Sequence, residues 1–228
     1  MKTSLAVVIP FYNEEANVES VIREISDALA KDSIPCEFIA INNGSRDTTG
    51  EILATLATHD PRVTVVTVTN NQGYGWGVAQ GIRATTKEWV TVVSGDGQID
   101  PEDILKAYAA MEKTGADIIK PRRVRRGDGA WRALVSFVYN LVMKIVFRLP
   151  GWDINAPPKI FKRAIFQKIT IESKNSFIDP EILIKAQKLG CTIVEIETFY
   201  RTRQGGHGHT GIKTILEFIA DISRWSIR

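Results

Sequence analysis

The sequence predicts an α/β fold in which a mainly parallel sheet is flanked by helices. Short β-branched apolar runs alternate with segments of helical periodicity over residues 1–120, which is the pattern of successive βαβ units. Residues that favour turns follow each of the first four predicted strands, and such loops lie at the carboxyl edge of a parallel sheet, where ligands bind. We therefore expect one functional edge.

Each element of this alternation has its own local pattern. The first strand, 4–9, is an apolar run that ends before Pro10, and the first helix, 14–30, carries apolar residues at three-and-four spacing. Asp100 and Pro101 predict the start of a later helix, because aspartate caps a helix N-terminus and proline fits its first turn. The other predicted strands are 37–41, 63–67, 89–93 and 117–120, and the other predicted helices are 48–57, 75–85 and 101–113.

The alternation stops after residue 121, where an arginine-rich loop leads towards two segments that predict amphipathic helices. Segment 131–149 is almost wholly apolar but contains Arg132, Lys144 and Arg148, and segment 212–227 places isoleucines and a leucine on one stripe. Such helices can lie in the headgroup region of a membrane, or they can pack on each other or on a second subunit. The sequence leaves this choice, and the oligomeric state, open.

Composition bounds the class of protein. The chain has 228 residues, of which 44% are hydrophobic and 24% charged, so it suits one globular domain without long disorder. A net charge of +3 gives no reason to expect a nucleic-acid partner. Cys36 and Cys191 lack metal-ligand spacing, the N-terminus lacks a secretory signal, and no uncharged apolar run of membrane-spanning length occurs. We expect a cytoplasmic protein that is peripheral on the cytoplasmic face of a membrane.

Four motifs follow one another along the chain: VVIPFYNEEANV, INNGSRDTTGEIL, NQGYGWGVAQGI and SGDGQIDPEDI. Together they resemble family 2 glycosyltransferases with the GT-A (Rossmann-like) fold, and among these the polyprenyl-phosphate sugar transferases such as dolichyl-phosphate mannosyltransferase. The resemblance implies an inverting hexosyltransferase that moves a sugar from a nucleotide-diphospho-sugar, of GDP-mannose or UDP-glucose type, to a polyprenyl (dolichyl or undecaprenyl) phosphate. It implies one domain over 1–228, with a nucleotide-sugar-binding half at 1–120 and an acceptor-side, membrane-interface half at 121–228.

The resemblance also implies which residues hold the nucleotide. They are Pro10, Tyr12, Glu14, Ile41 and Asn43, the last two near the base. A tyrosine ring offers a packing face, and a carboxylate accepts hydrogen bonds from ribose hydroxyls. The family often carries two aspartates where this chain has Asn42 and Asn43, and an amide keeps an acceptor oxygen but weakens a base-selective hydrogen bond. The identity of the base is therefore left open.

A metal site is implied at the turn after the fourth predicted strand. The family's Asp-x-Asp signature falls on Ser94, Gly95 and Asp96, which are expected to contact the nucleotide-sugar, and Asp96 and Gln98 align with positions that reach the metal. Hard cations prefer oxygen ligands, so a carboxylate and an amide would bind Mg²⁺ or Mn²⁺ together with diphosphate oxygens and water. The alternative is that Asp96 and Gly97 only turn the chain.

The glycine-rich loop 73–77 precedes a predicted helix. Its spacing differs from G-x-G-x-x-G, so we do not expect a dinucleotide site. Its glycines either line the donor pocket or allow tight packing of the helix on the sheet.

Transfer from a diphosphate needs positive charge near the departing phosphates. By resemblance, Arg123 after the fifth strand and Arg203 in a late loop are the catalytic and nucleotide-sugar-binding arginines. His209 stands where the family motif has a lysine, so the charge expected beside the nucleotide-sugar would titrate near neutrality. His207 and His209 lack further ligands at metal-binding spacing, which favours a loop over a metal pair.

Asp153, Lys159 and the run 177–181 match acceptor-side positions of the family. If the acceptor is a hydroxyl, Asp179 or Glu181 is the expected catalytic base, whereas an anionic phosphate needs none. Two other functions stay open: transfer to a saccharide hydroxyl, and non-catalytic binding of a nucleotide-sugar. The acids missing at positions 42, 43 and 94 are the reason for the second.

Overall fold

The computed structural model describes residues 2–125, 129–199 and 212–226. The strands are β1 (Leu5–Phe11), β2 (Cys36–Asn43), β3 (Val63–Val68), β4 (Trp89–Val92), β5 (Ile118–Arg125), β6 (Lys159–Lys162) and β7 (Ile193–Phe199). The helices are α1 (Val18–Lys31), α2 (Thr49–His59), α3 (Tyr74–Ala84), α4 (Pro101–Thr114), α5 (Gly129–Phe147), α6 (Ala164–Lys168), α7 (Ile178–Lys188) and α8 (Ile212–Ser226). The alternation predicted for the first 120 residues is confirmed.

Within the described residues, seven strands form one sheet in the order β3-β2-β1-β4-β6-β5-β7. β1 is parallel to β2 and β4, β2 to β3, and β5 to β7, whereas β6 is antiparallel to both β4 and β5. The predicted α/β fold with a mainly parallel sheet is therefore confirmed. Because β6 is reversed, its first residue lies at the edge where the parallel strands end.

Helices cover both faces of the sheet, as the buried parallel strands require. In β1, Leu5, Val7 and Ile9 pack in one core with α1, α2 and α4. Ala6 and Val8 point to the opposite core, formed with α3, α5, α7 and α8. This alternation follows from the two-residue period of a strand.

The first strand and helix differ from the prediction at their junction. β1 continues through Pro10 to Phe11, where it pairs with β2. Its pairing with β4 ends earlier, at Val8, so the missing N–H of Pro10 costs no ladder bond on that side. α1 begins at Val18 because a turn, with Asn13 at φ 54°, occupies the residues before it.

The predictions after residue 120 were less complete. The predicted arginine-rich loop is partly strand, since β5 extends to Arg125 alongside β7. The sequence prediction contained no counterpart of β6, α6, α7 or β7. α5 and α8 correspond to the two predicted amphipathic segments, and no helix in the described ranges is long and apolar enough to cross a membrane.

Candidate active site

The predicted functional edge carries the ends of β1, β2, β3 and β4, and the structure adds the end of β5 and the start of β6. Two loops of the donor side are joined there by hydrogen bonds. The amide of Asn13 donates to Ser45 Oγ at 3.1 Å, and the amide of Arg46 donates to Asn13 Oδ1 at 2.8 Å. Tyr12 is 41% exposed at this junction. The structure thus fixes the backbone around Tyr12 and leaves its ring accessible, as the predicted nucleotide contact requires.

Glu14 lies in the same junction. Its amide donates to Thr49 Oγ1 at 3.0 Å, and its Oε2 accepts a hydrogen bond of 2.6 Å from Asn17 Nδ2. Pro10 is partly exposed at the end of β1. Ile41, by contrast, is fully buried in the core and meets Gly81 so closely that an added Cβ there would lie 2.7 Å from Ile41 Cδ1. The structure therefore brings Pro10 and Glu14 to the edge but places the side chain of Ile41 beneath it.

The two asparagines at the end of β2 have different partners. Asn42 Oδ1 accepts the amide of Ser45 at 3.0 Å, which closes a local turn. Asn43 is buried and its Nδ2 donates to the carbonyl of Gly73 at 3.2 Å. Asn43 Oδ1 has no hydrogen-bond partner within the described part of the chain. An aspartate at position 42 could still accept the amide of Ser45. An aspartate at position 43 could not donate to the carbonyl of Gly73, because a carboxylate has no N–H.

The glycines of the loop 73–77 allow close backbone packing. A Cβ on Gly73, which has φ 112°, would lie 2.2 Å from the carbonyl oxygen of Lys174, and one on Gly75 would lie 2.5 Å from that of Asn175. A Cβ on Gly77 would lie 3.0 Å from Asn43 Cγ. These contacts favour the packing role over a lining of the donor pocket.

The turn after β4 carries the predicted metal ligands. Gly95 lies against β1, because an added Cβ would be 2.5 Å from Phe11 Cδ1. Asp96 Oδ1 accepts the amide of Gln98 at 3.1 Å, and Gly97 has φ 71°. Asp96 therefore shapes the turn with one oxygen, while the close contact of Gly95 with Phe11 fixes the turn beside the end of β1.

Asp100 has the predicted capping role, since its side chain accepts the amide of Glu102 at 3.1 Å and begins α4. The turn also borders a cavity of about 40 Å³ that α1 closes from the other side, with Ser20, Glu24 and Asp96 in its lining. This volume admits water but not a nucleotide. A nucleotide would therefore have to bind on the open side of the turn.

The donor set decides what kind of metal site fits here. No group of three or more His, Cys, Asp or Glu that could hold a metal occurs among the residues the structure describes. Asp96 and Gln98 offer a carboxylate and an amide oxygen, which suit Mg²⁺ or Mn²⁺. The residues fit a cation shared with a diphosphate rather than one enclosed by protein ligands.

The predicted acceptor side is held by ion pairs that are largely buried. Arg123 binds Asp153 through two side-chain bonds, Nε to Oδ2 at 2.7 Å and Nη2 to Oδ1 at 2.6 Å, and its amide donates to the same carboxylate at 3.0 Å. Asp153 has φ 57°, a backbone conformation that residues other than glycine rarely adopt. The predicted phosphate-binding arginine is therefore pre-positioned by an acid 30 residues further along the chain.

A second network lies behind the first. Lys120 Nζ is buried and donates to Glu195 Oε2 at 2.6 Å and to the carbonyl of Trp152. Burial lowers the pKa of Lys120, and the carboxylate of Glu195 opposes that shift. The amide of Trp152 also donates to Glu195, at 2.7 Å. The network thus anchors the residue that precedes Asp153.

The sequence prediction did not include Lys120 or Glu195. In the sheet register, Lys120 lies opposite Glu195 and Arg122 lies opposite Glu197. Two basic residues spaced by two therefore face two acidic residues with the same spacing. That spacing was visible in the sequence, but the pairing of the two segments was not.

Lys159 and Asp179 form the third pair, with Nζ and Oδ1 2.7 Å apart. Glu181, the other predicted base, is fully buried. Its carboxylate accepts the amides of Glu172 at 2.8 Å and Ser173 at 2.7 Å, and it pairs with Lys185 at 2.8 Å. The structure therefore gives Glu181 a role in holding the loop 172–173 and does not bring it to an open surface.

The same edge carries a groove of about 780 Å³ between the start of α3, the loop 172–176 and α8. Its lining includes Gln72, Tyr74, Asn175, Asp221 and Trp225. Its size is in the range of small-molecule sites. Arg203, His207 and His209 lie outside the described residues, so their predicted roles stay predictions.

Comparison with known proteins identifies the relatives of this chain. The family model described as "Glycosyl transferase family 2" matches residues 6–170. An uncharacterized glycosyltransferase of Mycobacterium tuberculosis is 28% identical over 229 residues, covering 98% of this chain and 97% of that protein. Undecaprenyl-phosphate 4-deoxy-4-formamido-L-arabinose transferase of Pseudomonas aeruginosa is 25% identical over 219 residues, covering 96% of this chain and 63% of that protein.

Solved structures with the same fold include glucosyl-3-phosphoglycerate synthase of Mycobacterium tuberculosis in complex with Mn²⁺, uridine diphosphate and glucosyl-3-phosphoglycerate. Its TM-score is 0.73 at 21% identity, over 99% of this chain and 77% of that one. TarS of S. aureus, residues 1–349, gives a TM-score of 0.65 at 20% identity, over 99% and 64% of the two chains. The predicted GT-A fold is confirmed by these likenesses.

Proposed function

Because this chain belongs to glycosyl transferase family 2, we propose that it is an inverting transferase that moves a sugar from a nucleotide-diphospho-sugar to a polyprenyl phosphate at the cytoplasmic face of a membrane. The relative from Pseudomonas aeruginosa, whose name contains undecaprenyl phosphate, supports the acceptor class. The observation that carries the proposal is the exposed face of α5.

Every exposed side chain between residues 134 and 146 of α5 is apolar. These side chains are Leu134, Phe137, Val138, Leu141, Ile145 and Val146, with exposed fractions of 39% to 69%. They follow one another at helical spacing, so they form one stripe, and Arg148 is exposed just beyond it. An apolar helix face with a cation at its end suits the boundary between acyl chains and phosphate headgroups.

The stripe adjoins the acceptor side of the site. Phe137 stacks on Trp152, with ring centroids 5.6 Å apart. Lys144 Nζ lies 4.5 Å from the centroid of the same Trp152 ring. Asn140 Oδ1 accepts the amide of Ile154 at 2.8 Å. α5 therefore supports the residues on both sides of Asp153, which binds Arg123. A lipid phosphate held at the stripe would have its headgroup near this arginine.

The other predicted amphipathic helix packs on α5. Tyr139 of α5 and Phe218 of α8 have ring centroids 4.7 Å apart, and Trp225 is buried against Phe177. Ile219 is exposed on the outer side of α8. We propose that the two helices form a single platform that lies on the membrane through the α5 stripe and Ile219.

On the donor side, we propose that Tyr12 and Glu14 contact the nucleotide and that Asp96 and Gln98 hold Mg²⁺ or Mn²⁺ on the diphosphate. Bound there, the cation would offset negative charge on the diphosphate. Arg123 and Arg203 would stabilise the charge that develops on the departing oxygen. In this arrangement the polypeptide would orient the donor with its anomeric carbon towards the proposed acceptor side.

In the transfer step, an oxygen of the acceptor phosphate attacks the anomeric carbon while the bond from that carbon to the diphosphate breaks. The configuration at the carbon inverts, and a nucleoside diphosphate departs. The acceptor is already anionic, so no side chain has to remove a proton. This agrees with a site in which Glu181 is committed to structural hydrogen bonds.

The proposal is tested by incubating the purified protein with radiolabelled GDP-mannose or UDP-glucose, Mg²⁺ or Mn²⁺, and a polyprenyl phosphate in detergent. We expect label to pass into the lipid fraction with at least one donor. The matched control is Asp96→Asn, which should remove most of the transfer. Absence of lipid label with every donor and acceptor pair would reject the activity.

Membrane contact is tested separately by co-sedimentation with vesicles that contain anionic lipid. We expect the wild type to sediment with the vesicles, and the variant Leu141→Ser/Ile145→Ser to remain largely in the supernatant. Equal sedimentation of both proteins would contradict a role for the α5 stripe. Both positions are exposed, so unfolding temperatures should stay similar and serve as the control.

A saccharide hydroxyl is the second candidate acceptor. It is favoured by Asp179, a partly exposed carboxylate at the functional edge that could act as a general base. If this candidate is correct, Asp179→Asn should abolish turnover while leaving binding of the nucleoside diphosphate intact in calorimetry.

A further inference from the structure

We propose that Lys159 is a specificity-determining residue. By holding Asp179 as its counter-ion, it restricts the acceptor to groups that are already ionised when they bind. This inference rests on the proposed function. Lys159 acts through Asp179 and is therefore a positioning residue. Its position, its burial and its partners carry the inference.

The sheet places Lys159 beside the predicted metal turn. It is the first residue of β6 and lies in register with Val92, the last residue of β4. The chain leaves β4 at that point towards Ser94 and Asp96. Since β6 runs opposite to β4, the first residue of β6 lies at the same sheet edge as the turn.

Helix α7 brings Asp179 to that edge. α7 connects to β7, which is parallel to β5, so α7 runs against the direction of β5 and begins at the carboxyl edge. Asp179 is the second residue of α7. A carboxylate in the first turn lies near the positive end of the helix dipole.

Burial makes the pair interdependent. The side chain of Lys159 is 2% exposed and that of Asp179 is 19% exposed, with Nζ and Oδ1 2.7 Å apart. A buried ammonium needs a counter-ion, because removal from water disfavours an isolated charge. Asp179 therefore serves as the internal partner of this cation, and water reaches it only in part.

Other polar groups complete the surroundings of the pair. Burial raises the pKa of the Tyr139 phenol on α5, and the nearby carboxylate of Asp179 adds to the rise. The phenol hydroxyl also donates a hydrogen bond to Asn155 Oδ1 at 3.4 Å. Burial lowers the pKa of Lys120 on β5, Glu195 opposes that shift, and the nearby Lys159 makes a smaller contribution that lowers it further. The phenol stays protonated, and the charged groups that act on it are the carboxylates of Asp179 and, on α8, Asp221. Lys159 is the cation that contacts Asp179 directly.

The chemical consequence concerns the acceptor's proton. A hydroxyl loses its proton as it attacks, so it needs a base, whereas a phosphate brings its own negative charge. An oxygen of Asp179 is held by Lys159, and Glu181 is committed to backbone amides and Lys185. The pair therefore selects against hydroxyls and water, and it allows anionic acceptors.

The decisive variant is Lys159→Met, which keeps an unbranched stem and removes the charge. Asp179 could then assist water: the water oxygen bonds to the anomeric carbon, the bond from that carbon to the diphosphate breaks, and the proton passes to Asp179 and then to solvent. The products are free sugar and nucleoside diphosphate. We expect the ratio of donor hydrolysis to lipid transfer to rise about tenfold, which corresponds to about 1.4 kcal/mol.

Two further variants separate this effect from simple damage. Lys159→Arg keeps the cation and should return the ratio towards that of the wild type. Lys159→Met/Asp179→Asn removes the carboxylate and should cancel the gain in hydrolysis. An unchanged ratio in Lys159→Met, or a gain that survives in the double variant, would overturn the inference.

If Lys159→Met does not fold, as judged by loss of binding of the nucleoside diphosphate, Asp179→Asn alone gives the test. We expect its lipid transfer to follow the same pH profile as that of the wild type between about pH 5 and pH 8. Loss of a rising limb in Asp179→Asn would show that Asp179 is the base and would overturn the inference. Absence of lipid transfer by the wild type counts against the proposed function. In that case, the ratio of donor hydrolysis to transfer to a saccharide hydroxyl, measured in the wild type and the variants, would still test Lys159.

Discussion

The predicted donor half (1–120) and the predicted acceptor half (121–228) meet at one edge of the sheet but hold their candidate site residues in different ways. The predicted donor half uses hydrogen bonds and close glycine contacts, such as Asn43 to Gly73 and Gly95 against Phe11. The acceptor half uses buried ion pairs, such as Arg123 with Asp153. The candidate site residues of the first half are thus positioned by hydrogen bonds and backbone shape, whereas those of the second half are held by ion pairs between residues distant in the sequence.

Breaking the ion pair of Arg123 and Asp153, which has three hydrogen bonds, should cause the largest loss in the free energy of unfolding. In Asp153→Ala, the guanidinium of Arg123 loses two side-chain bonds and remains largely buried. We expect the free energy of unfolding to fall by about 3–5 kcal/mol. Denaturant titration measures this change. Glu197→Ala, which breaks the exposed pair with Arg122, is the control and should cost less than about 1 kcal/mol. Similar losses in both variants would remove the contrast between the halves.

The donor half should respond in turnover rather than in stability. Asp96→Asn keeps an oxygen that can accept the amide of Gln98, but it removes the charge proposed to bind the cation. We expect the rate of lipid transfer to fall about 10²–10³-fold, with the unfolding temperature nearly unchanged. Asp100→Asn in the same loop keeps a good helix cap and should retain activity. Wild-type turnover in Asp96→Asn would show that the turn only reverses the chain.

The two asparagines of β2 test whether neutral bonds matter on the donor side. In Asn43→Asp, a carboxylate replaces the amide that donates to the carbonyl of Gly73. We expect a loss of about 1–3 kcal/mol in the free energy of unfolding, because a buried donor is replaced by an unpaired charge. Asn42→Asp keeps the acceptor for the amide of Ser45 and should stay within about 0.5 kcal/mol. Equal effects would mean that the bond to Gly73 is not important.

Acid sensitivity gives the smallest expected effect. A backbone hydrogen bond from Thr192 lowers the pKa of Asp117, with smaller contributions from the Thr192 hydroxyl and Lys162. Since the folded pKa lies below the unfolded one, this stabilisation is present above the ordinary value of 3.8 and is lost as the pH falls through the folded pKa.

We expect Asp117→Asn to lose about 1 kcal/mol at neutral pH. The variant should also show a shallower fall in stability than the wild type between about pH 5 and pH 2. Parallel stability curves for the two proteins would contradict this prediction. The measurement is chemical denaturation across that pH range.

The comparison also explains what the sequence could predict. In the donor half, strands, helices and turns follow from neighbouring residues, so the edge that carries Tyr12, Asn43 and Asp96 was predicted in its correct place. The cap at Asp100 was likewise a local pattern and is confirmed. The extension of β1 through Pro10 was not predicted, because it depends on where the neighbouring strand β4 ends.

The acceptor half depends on contacts between distant parts of the chain. β6 has only four residues, and its reversed direction is set by the strands on either side of it. Asp153 and Arg123 are 30 residues apart, and Lys120 and Glu195 are 75 residues apart. No pattern of neighbouring residues predicts which of these distant residues pair. The buried role of Glu181 became visible only with the loop 172–173 that it holds.

The reversed strand has a consequence for dividing the chain. β6, supplied by residues well beyond the donor half, lies between β4 and β5. A fragment that stopped near residue 120 would leave the buried, apolar strand β4 as an open sheet border with unused hydrogen-bonding groups. Such a fragment should self-associate instead of remaining monomeric, so the two functional halves cannot be separated into independently folding modules.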